Sequence, residues 1–358
     1  MIKSLFKSFD PQGKINSEDK RFNYIDILYL IGILLVVWGH SHPIDASWYG
    51  TWYSDLNAFI YTFHMPMFFF IGGYLMVYSK SVVKLGYKKW INGKLLKFLI
   101  PYLVLTLLAF YPKAMLGDTS DVVTLSIPYL LKTTFLIPRI GVWGHFWFIP
   151  TFLILDILWG AWRANAEKSD KIYRYGLIIG FLVSFALAVF PIRTEYFVLY
   201  DLSQVAIFYA CGIITALIKP YLWDKTYKNL ISVFLCAFIA FFLYPYGNYK
   251  NFSMPIFNFI VGLCLVWICW SIAKLISNCG KFSIAEKLTK YNFTIFVYSW
   301  PAQSLLDVIL RRMGVNWLII IAAMFVIGFI APILIIFIYK KAKFLHCKFF
   351  DYLIGIHN

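Results

Sequence analysis

Apolar stretches long enough to cross a lipid bilayer recur from one end of this chain to the other. A helix needs about 20 apolar residues to span roughly 30 Å of hydrocarbon. Ten stretches meet that need, at 22–41, 57–78, 95–112, 145–163, 174–192, 203–219, 229–246, 254–276, 292–310 and 317–339. None alternates polar with apolar residues as a membrane β-strand would. Only 14% of the 358 residues are charged, 61% are hydrophobic, and the mean hydropathy is +0.72. A soluble chain is usually about a quarter charged. The expected fold class is therefore all-α: a polytopic integral membrane protein with about ten transmembrane helices, its partner the lipid bilayer of the plasma or inner membrane.

Lys and Arg enrich cytoplasmic loops. With the N-terminus inside, 26 of the 33 basic residues fall on the cytoplasmic side, and the C-terminus is cytoplasmic too. Arg311 and Arg312 are the local exception. The net charge of +16 thus reads as a topology signal spread over every second loop, and nucleic-acid binding is not expected. The organisation that follows is a cytoplasmic segment at 1–21, a membrane domain at 22–340 and a cytoplasmic tail at 341–358. The polar, mixed-charge start lacks the pattern of a cleaved signal peptide. The six cysteines read as small apolar residues, and no metal site is expected. The longest loop, Tyr111–Gly144, lies outside and is expected to hold a short helix at Ile127–Leu136. No internal repeat is evident.

Polar residues within spans are costly, so each is a candidate site residue. The first span begins after Arg21, contains Asp26 and Tyr29, and ends at Gly39-His40-Ser41-His42-Pro43. Tyr29 and His40 are eleven residues apart, about three turns, so they share a face some 16 Å apart along the axis. A neutral imidazole at a wet pocket mouth can take a proton from a hydroxyl. An interfacial histidine hydrogen-bonded to a loop is the competing reading of His40. His64 opens Phe63-His-Met-Pro-Met-Phe-Phe-Phe-Ile-Gly72-Gly73-Tyr74, and His145 opens His145-Phe-Trp147-Phe-Ile-Pro150. Both are expected at the outer surface with His40. Trp147 and Asp45 are on that side as well, and Asp45 is near enough in sequence to orient an imidazole. At the inner surface Lys94 and Lys97 share a helix face. They suit either the phosphates of a nucleotide-like cofactor or lipid head groups.

Taken together, these segments resemble the acyltransferase 3 family of membrane acyltransferases, and within it the branch of fucose 4-O-acetylases. The matching pieces are Tyr24-Ile-Asp26 to Trp38-Gly39-His40, His64 to Tyr74, Lys94-x-x-Lys97 with Pro101-Tyr102, His145 to Pro150, and Tyr291 to Pro301, in the family's order. The resemblance implies transfer of an acyl group, usually acetyl, from cytoplasmic acyl-CoA (acetyl-CoA) to a sugar hydroxyl of a surface polysaccharide or its lipid-linked precursor. It implies that His40 is the catalytic base. His64, His145, Trp147 and Asp45 are candidates for orienting it or binding the acceptor. Lys94 and Lys97, with Arg21 and Tyr29, are candidates for holding the donor, and a homo-oligomer is compatible with this reading. The chain departs from the family pattern in three places: Tyr29 stands where Arg or Lys is usual, Gly72-Gly73 replaces Ser-Gly, and Ser299-Trp300 stands where a histidine is often found. The alternative reading is a multi-span transporter or flippase for a glycan, lipid or small solute, which the missing repeat disfavours.

Overall fold

The computed structural model describes residues 23–116, 123–222, 226–245, 255–280, 283–342 and 346–355. These residues form helices and connecting turns, with no strand among them. The chain is an all-α, polytopic membrane protein. Among the described residues, eight helical stretches are long and apolar enough to cross a bilayer, and each overlaps a predicted one. The remaining two predicted spans are apolar helices that fall short, Asn23–Gly39 and Leu230–Leu243. Seventeen residues rise about 26 Å, so the first of these nearly reaches across.

The helices that position the site are α1 (Asn23–Gly39), α2 (Trp52–Tyr61), α3 (His64–Tyr78), α4 (Lys80–Leu85), α5 (Tyr87–Leu116), α6 (Ile127–Leu131), α7 (Phe148–Ala166), α8 (Asp170–Val189) and α9 (Leu199–Leu222). They are followed by α10 (Thr226–Leu243), α11 (Pro255–Asn278), α12 (Ser283–Thr289), α13 (Asn292–Arg312), α14 (Trp317–Lys341) and α15 (Lys348–Ile354). The helix α1 packs against α3, α11, α12 and α13. Its central position suits a segment in which Ile27, Leu28, Ile33 and Val37 are all buried.

The second predicted span is two helices. Hydrophobicity alone runs through 52–78, yet the chain breaks at Thr62-Phe63, and His64 is the first residue of α3. Pro66 is tolerated there because first-turn amides have no intrahelical acceptor.

Small residues set the tightest crossing. A Cβ on Gly73 of α3 would lie 1.9 Å from the Tyr209 carbonyl oxygen of α9. One on Gly212 of α9 would lie 2.0 Å from the Phe70 carbonyl oxygen. Helices in lipid gain by such close approach, since burying leucine in protein is no better than burying it in lipid.

The predicted loop helix is present, as α6 continuing into a π-helical turn at Lys132–Leu136. This loop is tied to α5: Lys113 Nζ donates to the Val142 carbonyl at 2.6 Å, and Trp143 Nε1 to the Leu105 carbonyl at 3.1 Å. In the C-terminal segment, α15 docks on the bundle, where Thr294 and Tyr298 donate to the Ile354 and Leu353 carbonyls.

Candidate active site

The last turn of a helix leaves carbonyls without intrahelical donors, and in a membrane protein such groups need partners. The end of α1 is closed from several sides. Gln303 Nε2, from α13, donates to the Val37 carbonyl at 2.9 Å and to Ser41 Oγ at 2.8 Å. Ser41 Oγ in turn donates to Val37 at 2.6 Å. The Tyr53 hydroxyl sits 2.9 Å from the carbonyls of both Trp38 and Ser41. Asn57 Nδ2 and the Tyr61 hydroxyl donate to the Gly39 carbonyl at 3.3 and 3.1 Å. The His40 amide continues the helix to Val36. The residue after α1 is therefore His40, on a backbone held by α2 and α13.

The half-buried His40 ring is packed by rings of three other segments: Trp300 at 4.8 Å between centroids, His145 at 5.8 Å and Tyr61 at 6.3 Å. Among the described residues neither imidazole nitrogen has a hydrogen-bond partner, so the loop hydrogen bond of a merely interfacial histidine is not made. His64 lies against Tyr61, 4.7 Å between centroids. Its Nδ1–H donates to the Ile60 carbonyl at 3.0 Å, which leaves the lone pair on Nε2. His145 is different. Both its nitrogens are buried without a partner among the described residues.

These three histidines and Trp147 line one cavity of about 570 Å³. Its other lining includes Tyr61, Trp300, Phe259, Arg139, Glu195, Asp201 and Gln204. Four predicted residues thus converge. Asp45 does not join them: it is exposed and caps the turn Ala46–Trp48 by accepting from the Ser47 amide at 3.0 Å. Hydrogen bonding from the Ser47 side chain, with a lesser share from its amide, holds the Asp45 carboxyl below the usual carboxylate range.

Lys94 and Lys97 gather around a carboxylate that sequence reading passed over. Lys94 Nζ pairs with Asp156 Oδ2 at 2.8 Å, and the Tyr209 hydroxyl donates to Asp156 Oδ1 at 2.7 Å. Lys97 lies over the Phe98 ring and within electrostatic reach of both Lys94 and Asp156. Tyr29 is in the neighbourhood of Asp156, and its ring packs on Phe68 at 6.1 Å. Arg21 lies outside the described residues.

Also missed were Gln303 and Asp307 of α13, and Arg139 with Asp201. Asp156 and Asp307 are lone acids inside predicted spans, the type of residue that marks function in a membrane. Trp300 did carry a signal, since it falls where the family motif often has histidine, and it proves to be a direct neighbour of His40. Among the described residues, no group of three His, Cys, Asp or Glu side chains is placed to hold a metal ion.

A family model described as an acyltransferase domain matches residues 22–337. No curated protein and no solved structure matches the chain. The match covers α1 to α13 in full and most of α14, and it includes both the histidine-lined cavity and the lysine–aspartate cluster, so the chain belongs to the acyltransferase 3 family of membrane acyltransferases.

Proposed function

We propose that the protein is an O-acyltransferase that moves an acyl group, acetyl being the simplest, from cytoplasmic acyl-CoA to a hydroxyl of a surface polysaccharide or its lipid-linked precursor. The observation that carries this reading is the state of His40: the backbone around it is hydrogen-bonded on several sides, yet its imidazole lines a cavity with both nitrogens free of partners among the described residues. That suits a base whose partner is a substrate. Oriented with the N-terminus inside, as the basic residues favour, the cavity faces outward and the Lys94–Lys97 cluster faces the cytoplasm.

In this scheme Lys94 and Lys97 attract the phosphates of the donor, and its acyl-bearing arm extends along α1 for the roughly 16 Å from Tyr29 to His40. Nε2 or Nδ1 of His40 takes the proton of the sugar hydroxyl as its oxygen attacks the thioester carbonyl. A C–O bond forms, the C–S bond breaks, and the imidazolium returns the proton to the departing thiolate. A positioned base contributes about 10²–10⁴-fold, and holding both reactants together contributes more. His64, His145, Trp147 and Trp300 shape the acceptor side.

The test is His40→Ala in protein that still inserts and melts cooperatively. Loss of about 10²-fold or more in acyl transfer is expected. Glycan acylation at the original rate would overturn the role of His40.

A further inference from the structure

The cavity lining also holds charged groups. Arg139 is the one cation among the residues that line it, and its charge is already engaged. Its guanidinium bonds Asp201 through both Nε, at 2.9 Å, and Nη2. The same guanidinium lies 4.7 Å from the Trp147 ring. Asp201 Oδ1 receives both of these bonds, while Oδ2 has no partner among the described residues. Glu195 lines the same cavity, exposed at its rim, and makes no ion pair among the described residues. Gln204 Nε2 is buried there without an acceptor among the described residues.

The backbone between these groups is strained. Phe197 and Val198 both have positive φ, 54° and 55°. For a β-branched residue this is a rare conformation, and such turns persist where surrounding structure requires them, often beside ligands. Here the turn carries Glu195 on one side and Asp201 on the other, closed by the Tyr200 amide donating to the Thr194 carbonyl at 2.9 Å.

With neutral histidines the ionised groups lining the cavity are Arg139, Asp201 and Glu195, which leaves it one negative charge in excess. Its unmatched polar atoms are mostly acceptors: Asp201 Oδ2, the Glu195 carboxylate and the unprotonated nitrogen of His40. Sugar hydroxyls are donors that match them, and Trp300, Tyr61 and Phe259 offer apolar surface to the ring C–H groups. A volume of about 570 Å³ lies within the range of small-ligand sites. An acidic sugar would bring a second negative charge, with no free cation among the described residues of the lining to meet it, and like charges brought together cost several-fold in affinity or more.

We infer that the acceptor unit seated in this cavity is an uncharged sugar, selected against acidic sugars by Asp201 and Glu195. The inference rests on the acyltransferase reading above and specifies its acceptor.

The experiment uses the full-length protein in lipid nanodiscs with radiolabelled acetyl-CoA. The acceptors are a panel of neutral oligosaccharides built from glucose, galactose or fucose, each with a matched uronate. Binding is followed in parallel by tryptophan fluorescence, since Trp147 and Trp300 line the cavity. Neutral acceptors should exceed uronates by about tenfold or more in binding and in kcat/KM. Glu195→Gln should narrow that gap about threefold, the size expected of one rim charge, and Glu195→Lys should narrow it further. Glu195 is exposed, so both variants should keep the parent melting temperature. Equal use of neutral and acidic sugars, or an unchanged ratio in Glu195→Lys, overturns the inference while leaving acyl transfer to sugar standing. Charge-selective binding without any transfer upholds the inference on recognition and sinks the proposed reaction. Neither binding nor transfer with any sugar overturns both.

Discussion

Gln303 Nε2 donates to the Val37 carbonyl 2.9 Å away, and this bond, made across 266 positions of sequence, closes the helix end on which His40 sits. The same amide nitrogen reaches Ser41 Oγ on the far side of His40. His40 is thus flanked by two atoms held by one side chain.

Gln303→Met keeps the volume and removes both donated bonds. Leaving the buried Val37 carbonyl one donor short should cost about 1–3 kcal/mol of stability. Freed backbone at His40 should lower kcat for acyl transfer about tenfold or more, because misplacing a catalytic group by an ångström is costly. Thermal melting alongside turnover measures the two effects; unchanged turnover in a destabilised variant would show that Gln303 serves the fold alone.

His145 keeps two buried nitrogens without partners among the described residues, within 6 Å of the His40 ring. A polar group in that state burdens the fold by about 1–3 kcal/mol. His145→Phe should therefore leave the melting temperature unchanged or raise it, while acyl transfer falls. A loss of stability together with unchanged transfer would assign His145 to packing.

Asp156 holds Lys94 and the Tyr209 hydroxyl at once. Asp156→Ala leaves a lysine pair without its counter-charge and should cost about 3–5 kcal/mol, as breaking a buried ion pair does. The double variant Lys94→Met, Asp156→Leu removes both charges and should regain most of that stability. If Lys94 meets the donor, KM for acyl-CoA stays raised in the double variant. Recovery of both stability and KM would make the pair structural.

Gly73→Ala puts a methyl group 1.9 Å from the Tyr209 carbonyl oxygen, a backbone atom that cannot swing aside. The α3–α9 crossing must open, and a loss of about 3 kcal/mol or more is expected, at the severe end for one substitution. Gly93→Ala in α5 meets nothing within 4 Å and should be neutral or slightly stabilising. Detergent-melt comparison of the two variants checks the crossing.

The spans were legible because crossing a bilayer is a local requirement: enough apolar residues in a row, whatever lies beside them. His40, His64, His145 and Trp147 were legible as site candidates because each stands at a span end within a recognisable segment, and the structure brings all four to one cavity. The break at Thr62-Phe63 was not legible, since the apolar run passes straight through it. Asp45 looked close to His40 in sequence, yet its own local turn claims its carboxylate.

What the sequence by itself determined is the all-helical membrane fold, the number and places of its apolar segments, and the group of histidines at their ends. What only the tertiary structure decided is which face of each helix meets which neighbour. In a soluble protein the apolar stripe of a helix points to the core. Here both the interior and the lipid-facing surface are apolar, so no such stripe marks the inner face. Close approach at Gly73 and Gly212, and hydrogen bonds between distant polar residues, settle it instead. For that reason the partners of His40, the counter-ion of Lys94 and the pairing of Arg139 with Asp201 could be seen only once the helices were packed.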